Sequence, residues 1–165
     1  MRNAIVFGFA LLSAAGFAVA GEVKLTGVHN CCGGCKNGIT KALNGAGAGK
    51  VEVKGKAVSF TADDADKALA ALYAAGYAGK IEGAAEPVDA DARGYKAKEL
   101  KFDGLHNCCG SCDKGIKAAL SKIEGAKVES KAKTTTMTVS SDKELDAEEV
   151  LKALRAGGFN AKMVK

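Results

Sequence analysis

The phrase Gly27-Val28-His29-Asn30-Cys31-Cys32-Gly33-Gly34-Cys35 returns 77 residues later as Gly104-Leu105-His106-Asn107-Cys108-Cys109-Gly110-Ser111-Cys112. The spacing holds beyond the phrase: Leu43 matches Leu120, and Lys50-Val51-Glu52 matches Lys127-Val128-Glu129. Gly76-Tyr77 then matches Gly158-Phe159 at a separation of 82, so the second copy carries five further residues. A duplication of this kind constrains the fold more than composition does. The chain is to be built from two copies of one unit of about 62 to 67 residues, long enough for a small domain.

Each copy reads as strand, helix, strand, strand, helix, strand. Residues 22–26 alternate polar and apolar, the period of a half-buried strand. Ile39, Ala42 and Leu43 follow Cys35 by four, seven and eight positions, one face of a helix that starts at the last cysteine. Residues 50–53 and 57–61 flank Lys54-Gly55-Lys56 and predict a hairpin with a three-residue turn. Asp63 or Asp64 is placed to cap a second helix through Ala68, Leu69, Leu72 and Tyr73. Gly76 ends it, and a short last strand over 79–83 centres on Ile81. The second copy predicts strands at 99–103, 127–130, 134–139 and 160–164, with helices over 112–123 and 146–156. The latter helix carries Val150, Leu151 and Leu154 on one face, and Asp146, Glu148 and Glu149 where they favour the helix dipole.

The β-α-β-β-α-β order predicts an α+β chain of two tandem ferredoxin-like domains, 22–83 and 99–165. Each would be a four-stranded antiparallel sheet with two helices on one face. Between them, 84–98 holds the single proline, Pro87, lacks apolar periodicity and reads as a linker.

Residues 1–20 stand apart. Arg2, an apolar stretch from Ile5 to Val19, and Ala18-Val19-Ala20 before Gly21 have the form of a cleaved signal peptide. The run is shorter than the roughly 20 residues a spanning helix needs. No stable membrane insertion is expected after cleavage near Ala20, and the mature protein is expected in a bacterial periplasm or secreted. Net charge is +5, or +4 once Arg2 is removed, and it is spread along a chain with few aromatics. That pattern excludes a nucleic-acid footprint.

All six cysteines and both histidines lie inside the two copies of the loop. In an oxidising compartment six cysteines ordinarily suggest three disulfides. Disulfides stabilise most when they close long loops, whereas each trio here occupies five residues. A bridge from one trio to the other would leave that close spacing unexplained. Local thiol chemistry is the better use of it.

The strand, Gly-apolar start, Cys-x-x-Cys, helix register, hairpin and Gly-aromatic helix end together resemble the heavy-metal-associated domain. That family includes periplasmic mercury-binding proteins, copper chaperones and the N-terminal domains of metal-transporting ATPases. The resemblance covers 22–83 and 99–165. It implies that Cys32 with Cys35, and Cys109 with Cys112, each bind a soft metal ion, about one per domain, and pass it on by ligand exchange. It also implies a metal transporter or another metal-binding protein as partner. The loops depart from the family in having Val28 or Leu105 where Met is usual. Two residues, Asn30-Cys31 and Asn107-Cys108, stand inserted before the pair.

Two thiols three positions apart at a helix start can face one ion, and the free N–H groups there favour thiolate. Thiolates select Cu(I) or Zn(II), and by extension Hg(II). Two sulfurs suit a linear site, and Cu(I) is favoured. Recruiting Cys31 or Cys108 would give three sulfurs, and His29 or His106 could complete a tetrahedron. The alternatives are a local disulfide for the extra cysteines, and a loop carbonyl or solvent for the histidines. Tyr77 and Phe159 pack under the metal loop or simply fill the core. Lys36 and Lys114 either offset a metal–thiolate charge or face water. The expectation is a non-enzymatic, exported protein that sequesters or shuttles a soft ion.

The alternative is a thiol–disulfide oxidoreductase. Against it, thioredoxin folds place a cis-proline opposite the motif, and Pro87 lies in the linker. A structural zinc site drawing on both pairs would have to bridge 77 residues across two self-contained units, which disfavours it.

Overall fold

The computed structural model describes residues 21–81 and 89–165. The proposed signal segment 1–20 and Pro87 lie outside the described residues. The first unit runs β1 (Gly21–Thr26), α1 (Gly33–Gly45), β2 (Gly49–Lys54), β3 (Ala57–Ala62), α2 (Ala65–Ala74) and β4 (Lys80–Ile81). The second repeats it as β5 (Lys96–Asp103), α3 (Gly110–Leu120), β6 (Lys127–Ser130), β7 (Met137–Asp146), α4 (Ala147–Ala156) and β8 (Lys162–Val164). The sheets are ordered β2-β3-β1-β4 and β6-β7-β5-β8, antiparallel throughout, which is the ferredoxin-like plan twice over. Among the described residues no helix is long and apolar enough to cross a membrane.

Alternation decides which sheet face is covered. Leu25, Val53, Val58 and Phe60 are buried, while Glu22, Lys24 and Glu52 between them are exposed. The helices close over the apolar face with stripes four apart: Cys35, Ile39 and Leu43 on α1, and Cys112, Ile116 and Leu120 on α3. Fully burying a side chain such as Ile39 or Leu43 contributes roughly 1.5–3 kcal/mol. Capping follows the acids. The Asp64 carboxylate accepts from the Lys67 N–H at 2.9 Å, and Asp146 accepts from the N–H groups of Glu148 and Glu149 at 2.9 and 3.4 Å.

Among the details that differ from the sequence pattern, β5 opens at Lys96, inside the stretch read as linker, because Lys96 and Ala97 pair with the end of β7, and β7 opens at Met137 rather than 134. Helices α1 and α3 begin two residues before Cys35 and Cys112, because Gly33-Gly34 and Gly110-Ser111 already take helical geometry. The apolar period could not register them, since none of the four is a buried apolar side chain. The first hairpin turn has two residues, as Lys54 pairs with Ala57 around Gly55 at φ 58°. The twisted strands favour such a positive-φ turn. Finally, β7 runs on to Asp146, well past 139.

Register locates the five extra residues of the second copy. Leu25 pairs with Val58 and its counterpart Phe102 with Met137, a shift of 79 rather than 77, so two residues lie in the second hairpin turn. The other three form the bulge where pairing jumps from Glu99–Ser140 to Ala97–Leu145.

The units meet back to back at the ends of their second helices. Tyr77 and Phe159 form an antiparallel bridge, with the Ala78 N–H donating to Gly158 O (3.0 Å) and the Asn160 N–H donating to Gly76 O (2.9 Å). Gly76 and Gly158 both stand at positive φ, 84° and 87°. A Cβ on Gly76 would meet Gly104 O at 2.6 Å, and one on Gly158 would meet the Val28 carbonyl carbon at 2.9 Å. Each glycine therefore lets the loop of the other unit approach its backbone.

Candidate metal centre

The cysteine loops leave β1 and β5 and enter α1 and α3. Buried Val28 and Leu105 pin their starts, each donating its N–H across the unit, to Lys56 O (3.1 Å) and Thr135 O (2.9 Å). The inserted asparagines are anchors. Asn30 donates to Gly55 O at 2.9 Å, while buried Asn107 donates to Asp113 Oδ1 at 3.3 Å and its carbonyl accepts from Lys133. Cys32 and Cys109 are the N-caps, and Cys35 and Cys112 are fully buried on the first helical turns.

Back-to-back packing brings both loops to one place. Within the first loop, Cys31 Sγ lies 3.6 Å and Cys32 Sγ 3.9 Å from Cys35 Sγ. In the second, Cys108 and Cys109 lie 3.6 and 3.8 Å from Cys112. Between loops, Cys31 lies 3.6 Å from Cys112 and 3.7 Å from Cys109, and Cys35 lies 3.8 Å from Cys112. Cys108 lies 3.9 Å from Cys32 and 4.0 Å from Cys35. All six are free thiols. The loops read from sequence as two separate sites face each other, and the separation of 77 residues that counted against a shared site is closed by docking.

The donor set fits a soft ion. With metal–sulfur bonds of about 2.3 Å, sulfurs around one ion stand about 3.8 Å apart in a tetrahedron, 4.0 Å in a triangle and 4.6 Å on a line. The distances of 3.6–4.0 Å are those of tetrahedral or trigonal coordination. They do not match the linear two-sulfur site that a lone Cys-x-x-Cys suggests.

The histidines flank the sulfurs symmetrically. A ring nitrogen of His29 lies within 4.8 Å of the sulfurs of Cys31, Cys35 and Cys112, and one of His106 within 4.8 Å of those of Cys35, Cys108 and Cys112. Each ring stacks on the aromatic of the other unit. His29 lies on Phe159 with centroids 4.1 Å apart, and His106 on Tyr77 at 4.3 Å. Tyr77 and Phe159 thus support the opposite unit's loop rather than only their own. Gly38 and Gly115 make room for them inside α1 and α3; a Cβ on Gly115 would lie 3.1 Å from Phe159 and 3.2 Å from His29. Sequence reasoning passed over these two glycines, yet a helix-interior glycine costs about 1 kcal/mol. Its recurrence at matched positions of both copies was a signal of close packing.

Electrostatics divide the thiols into two kinds. The N–H groups of Cys112 and Ser111, with the Cys31 thiol, lower Cys109 to about 6. The N–H groups of Cys35 and Gly34 likewise lower Cys32. Desolvation, reinforced by neighbouring thiols, pushes Cys31 and Cys108 up, and Cys112 is raised chiefly by desolvation. Cys109 is therefore a ready thiolate at a helix start, Cys32 is shifted in the same direction, and Cys31, Cys108 and Cys112 hold their protons until a cation replaces them. Burial, with Lys56 and His106 nearby, lowers His29 to about 4, so its ring stays neutral and able to donate a lone pair. Lys36 and Lys114 are exposed.

Fold and site together define a two-unit ferredoxin-like protein with a six-cysteine, two-histidine centre at the junction. No family model and no curated protein matches the sequence. Among solved structures, the solution structure of the N-terminal soluble domains of Bacillus subtilis CopA is similar, at 21% identity over 90% of this chain and 96% of that chain, with a TM-score of 0.35.

Proposed function

We propose that the protein is an exported carrier or store for a soft metal ion, Cu(I) before Zn(II) or Hg(II), bound by a thiolate centre that both units complete. The single observation behind this reading is the convergence of six cysteine sulfurs at 3.6–4.0 Å between units. The ion is the cargo. Cys109 and Cys32, with lowered pKa values, receive it at the helix starts. Cys35 and Cys112, buried at the junction, hold it away from water. Cys31 and Cys108 join the two trios, and the neutral His29 ring offers a nitrogen. Release to a transporter or another metal-binding protein proceeds by exchange of one thiolate at a time. In this reading 1–20 directs export, 22–83 and 99–165, the latter extended back to Lys96 by β5, are the two metal-binding domains, and the stretch from 84 up to β5 links them.

Titrating the reduced protein with Cu(I) against a chromogenic copper(I) chelator tests the reading. Tight retention is expected, and Cys35→Ser/Cys112→Ser should lower it at least tenfold. Failure to compete for copper, or an unchanged double variant, sinks it. The mass of the protein recovered from a bacterial periplasm checks cleavage before Gly21, and a disulfide-reductase assay on the same sample should stay at background.

A further inference from the structure

We propose that the six sulfurs form the cage of a tetranuclear copper(I)–thiolate cluster, an inference that rests on the metal-binding reading above and adds how many ions are held and that alternate faces hold them. The sulfur pairs at 3.6–4.0 Å, with Cys31–Cys32 and Cys32–Cys109 within 4.8 Å, are eleven of the twelve edges of one octahedron, the twelfth being Cys108–Cys109 between neighbours in the chain. Its opposite corners are Cys31 and Cys108, Cys32 and Cys112, and Cys35 and Cys109. Every opposite pair joins the two units. Each loop thus supplies one triangle of sulfurs, and the two triangles stack in a staggered way.

Simple geometry then sets the occupancy. A single ion at the centre of an octahedron of 3.8 Å edge would lie about 2.7 Å from each sulfur, too far for a metal–thiolate bond of about 2.3 Å. An ion at the centre of a triangular face lies about 2.2 Å from its three sulfurs, close to that bond length. Four alternate faces use each corner twice, so four three-coordinate ions leave every sulfur bridging two of them. The faces Cys31/Cys35/Cys112 and Cys35/Cys108/Cys112 each have a histidine nitrogen, of His29 and His106 respectively, within 4.8 Å of all three sulfurs; they share an edge, so each set of four alternate faces contains one of them. The alternates of the first are Cys31/Cys32/Cys109, Cys32/Cys35/Cys108 and Cys108/Cys109/Cys112, and those of the second are Cys31/Cys32/Cys35, Cys31/Cys109/Cys112 and Cys32/Cys108/Cys109.

Three-coordinate thiolate faces suit Cu(I), whereas Zn(II) takes four ligands. Each thiol releases its proton to water as sulfur–copper bonds form, and copper enters and remains as Cu(I). Four Cu(I) with six thiolates carry a net charge of −2.

Anaerobic titration of the reduced full chain with Cu(I), supplied as its acetonitrile complex, followed by native mass spectrometry, reads the occupancy. Four copper ions per chain are expected, with X-ray absorption showing three sulfurs around each copper and a short copper–copper distance. A plateau at three or fewer overturns the cage and leaves metal binding standing, whereas no retained copper overturns both. Cys32→Ser/Cys109→Ser removes two corners without touching buried Cys35 and Cys112. Capacity is expected to fall from four to two or fewer with an unchanged circular dichroism spectrum, and retention of four would overturn the cage. The single Cys32→Ser variant serves the same purpose if the double variant does not fold, with fewer than four expected and four again fatal.

Discussion

The two halves of the centre are built from the same loop but differ under the histidines. Beneath His106 stands Tyr77, whose hydroxyl donates to Cys35 O at 3.2 Å and lies 3.0 Å from His106 Nε2. A hydroxyl whose proton is already on a carbonyl accepts from Nε2–H, which leaves the lone pair on Nδ1. Beneath His29 stands Phe159, which has no hydroxyl, and the buried Nε2 of His29 has no hydrogen-bond partner. One half is thus locked by a hydrogen-bonded tyrosine, and the other leaves a buried ring nitrogen without a partner. Duplication gave symmetry to the cysteines, and a single oxygen removed it from the histidines.

The largest effects are expected where the halves remain alike. Gly76→Ala and Gly158→Ala each add a Cβ at positive φ against the backbone of the opposite loop. Each should destabilise by about 2–4 kcal/mol and uncouple the two cysteine trios. Urea denaturation and copper stoichiometry check this, and a marked inequality between the two variants would break the symmetry of the junction.

Exchanging the aromatics sharpens the difference. Tyr77→Phe should cost about 1–2 kcal/mol by removing the partner of His106 and of the Cys35 carbonyl. Phe159→Tyr should instead raise the stability of the metal-free protein by up to about 1 kcal/mol, because it gives the buried His29 Nε2 a partner. Chemical denaturation of the metal-free protein separates the two effects, and identical responses would refute the asymmetry.

Acid provides a third test. The folded chain holds His29 at about 4, below its ordinary value of 6.5, so the unfolded chain binds that proton first as pH falls. The metal-free protein should therefore lose stability between about pH 6.5 and 4. His29→Phe should flatten part of that slope in urea midpoints measured across this range, and an unchanged slope would show that His29 is not the group responsible.

The smallest effect is expected at Gly34, whose counterpart is Ser111. A Cβ there would lie 3.5 Å from Cys32 Sγ and 3.6 Å from Cys108 Sγ, ordinary contact distances. Gly34→Ser should change stability by less than about 0.5 kcal/mol and leave copper capacity intact. A larger loss in thermal unfolding would mean that the sulfur array has less room on this side than on the other.

Much of the local structure was legible in the chain. Alternation at 22–26, the four-residue stripe through Cys35, Ile39 and Leu43, the acidic cap at Asp63 or Asp64, and the acidic start of the last helix at Asp146, Glu148 and Glu149 are short-range patterns. They set element type because a strand or helix repeats over a few residues. Cys31, Cys32 and Cys35 with His29, and their counterparts Cys108, Cys109 and Cys112 with His106, could be picked out as two matching thiol–imidazole groups for the same reason. The terminal bulge of β7 could not, since a bulge is defined only against the strand it opposes.

What the sequence determined by itself was two copies of one unit, each with its thiols gathered at a helix start. Tertiary structure alone decided that the trios become one centre. The paired Gly76-Tyr77 and Gly158-Phe159 segments look, in sequence, like two helix endings related by duplication. In space they hydrogen-bond to each other and carry each loop onto the other unit. The physical reason is that periodicity reports which face of an element is buried, whereas docking depends on where two complementary surfaces meet, here at two glycines with positive φ that let backbone touch backbone.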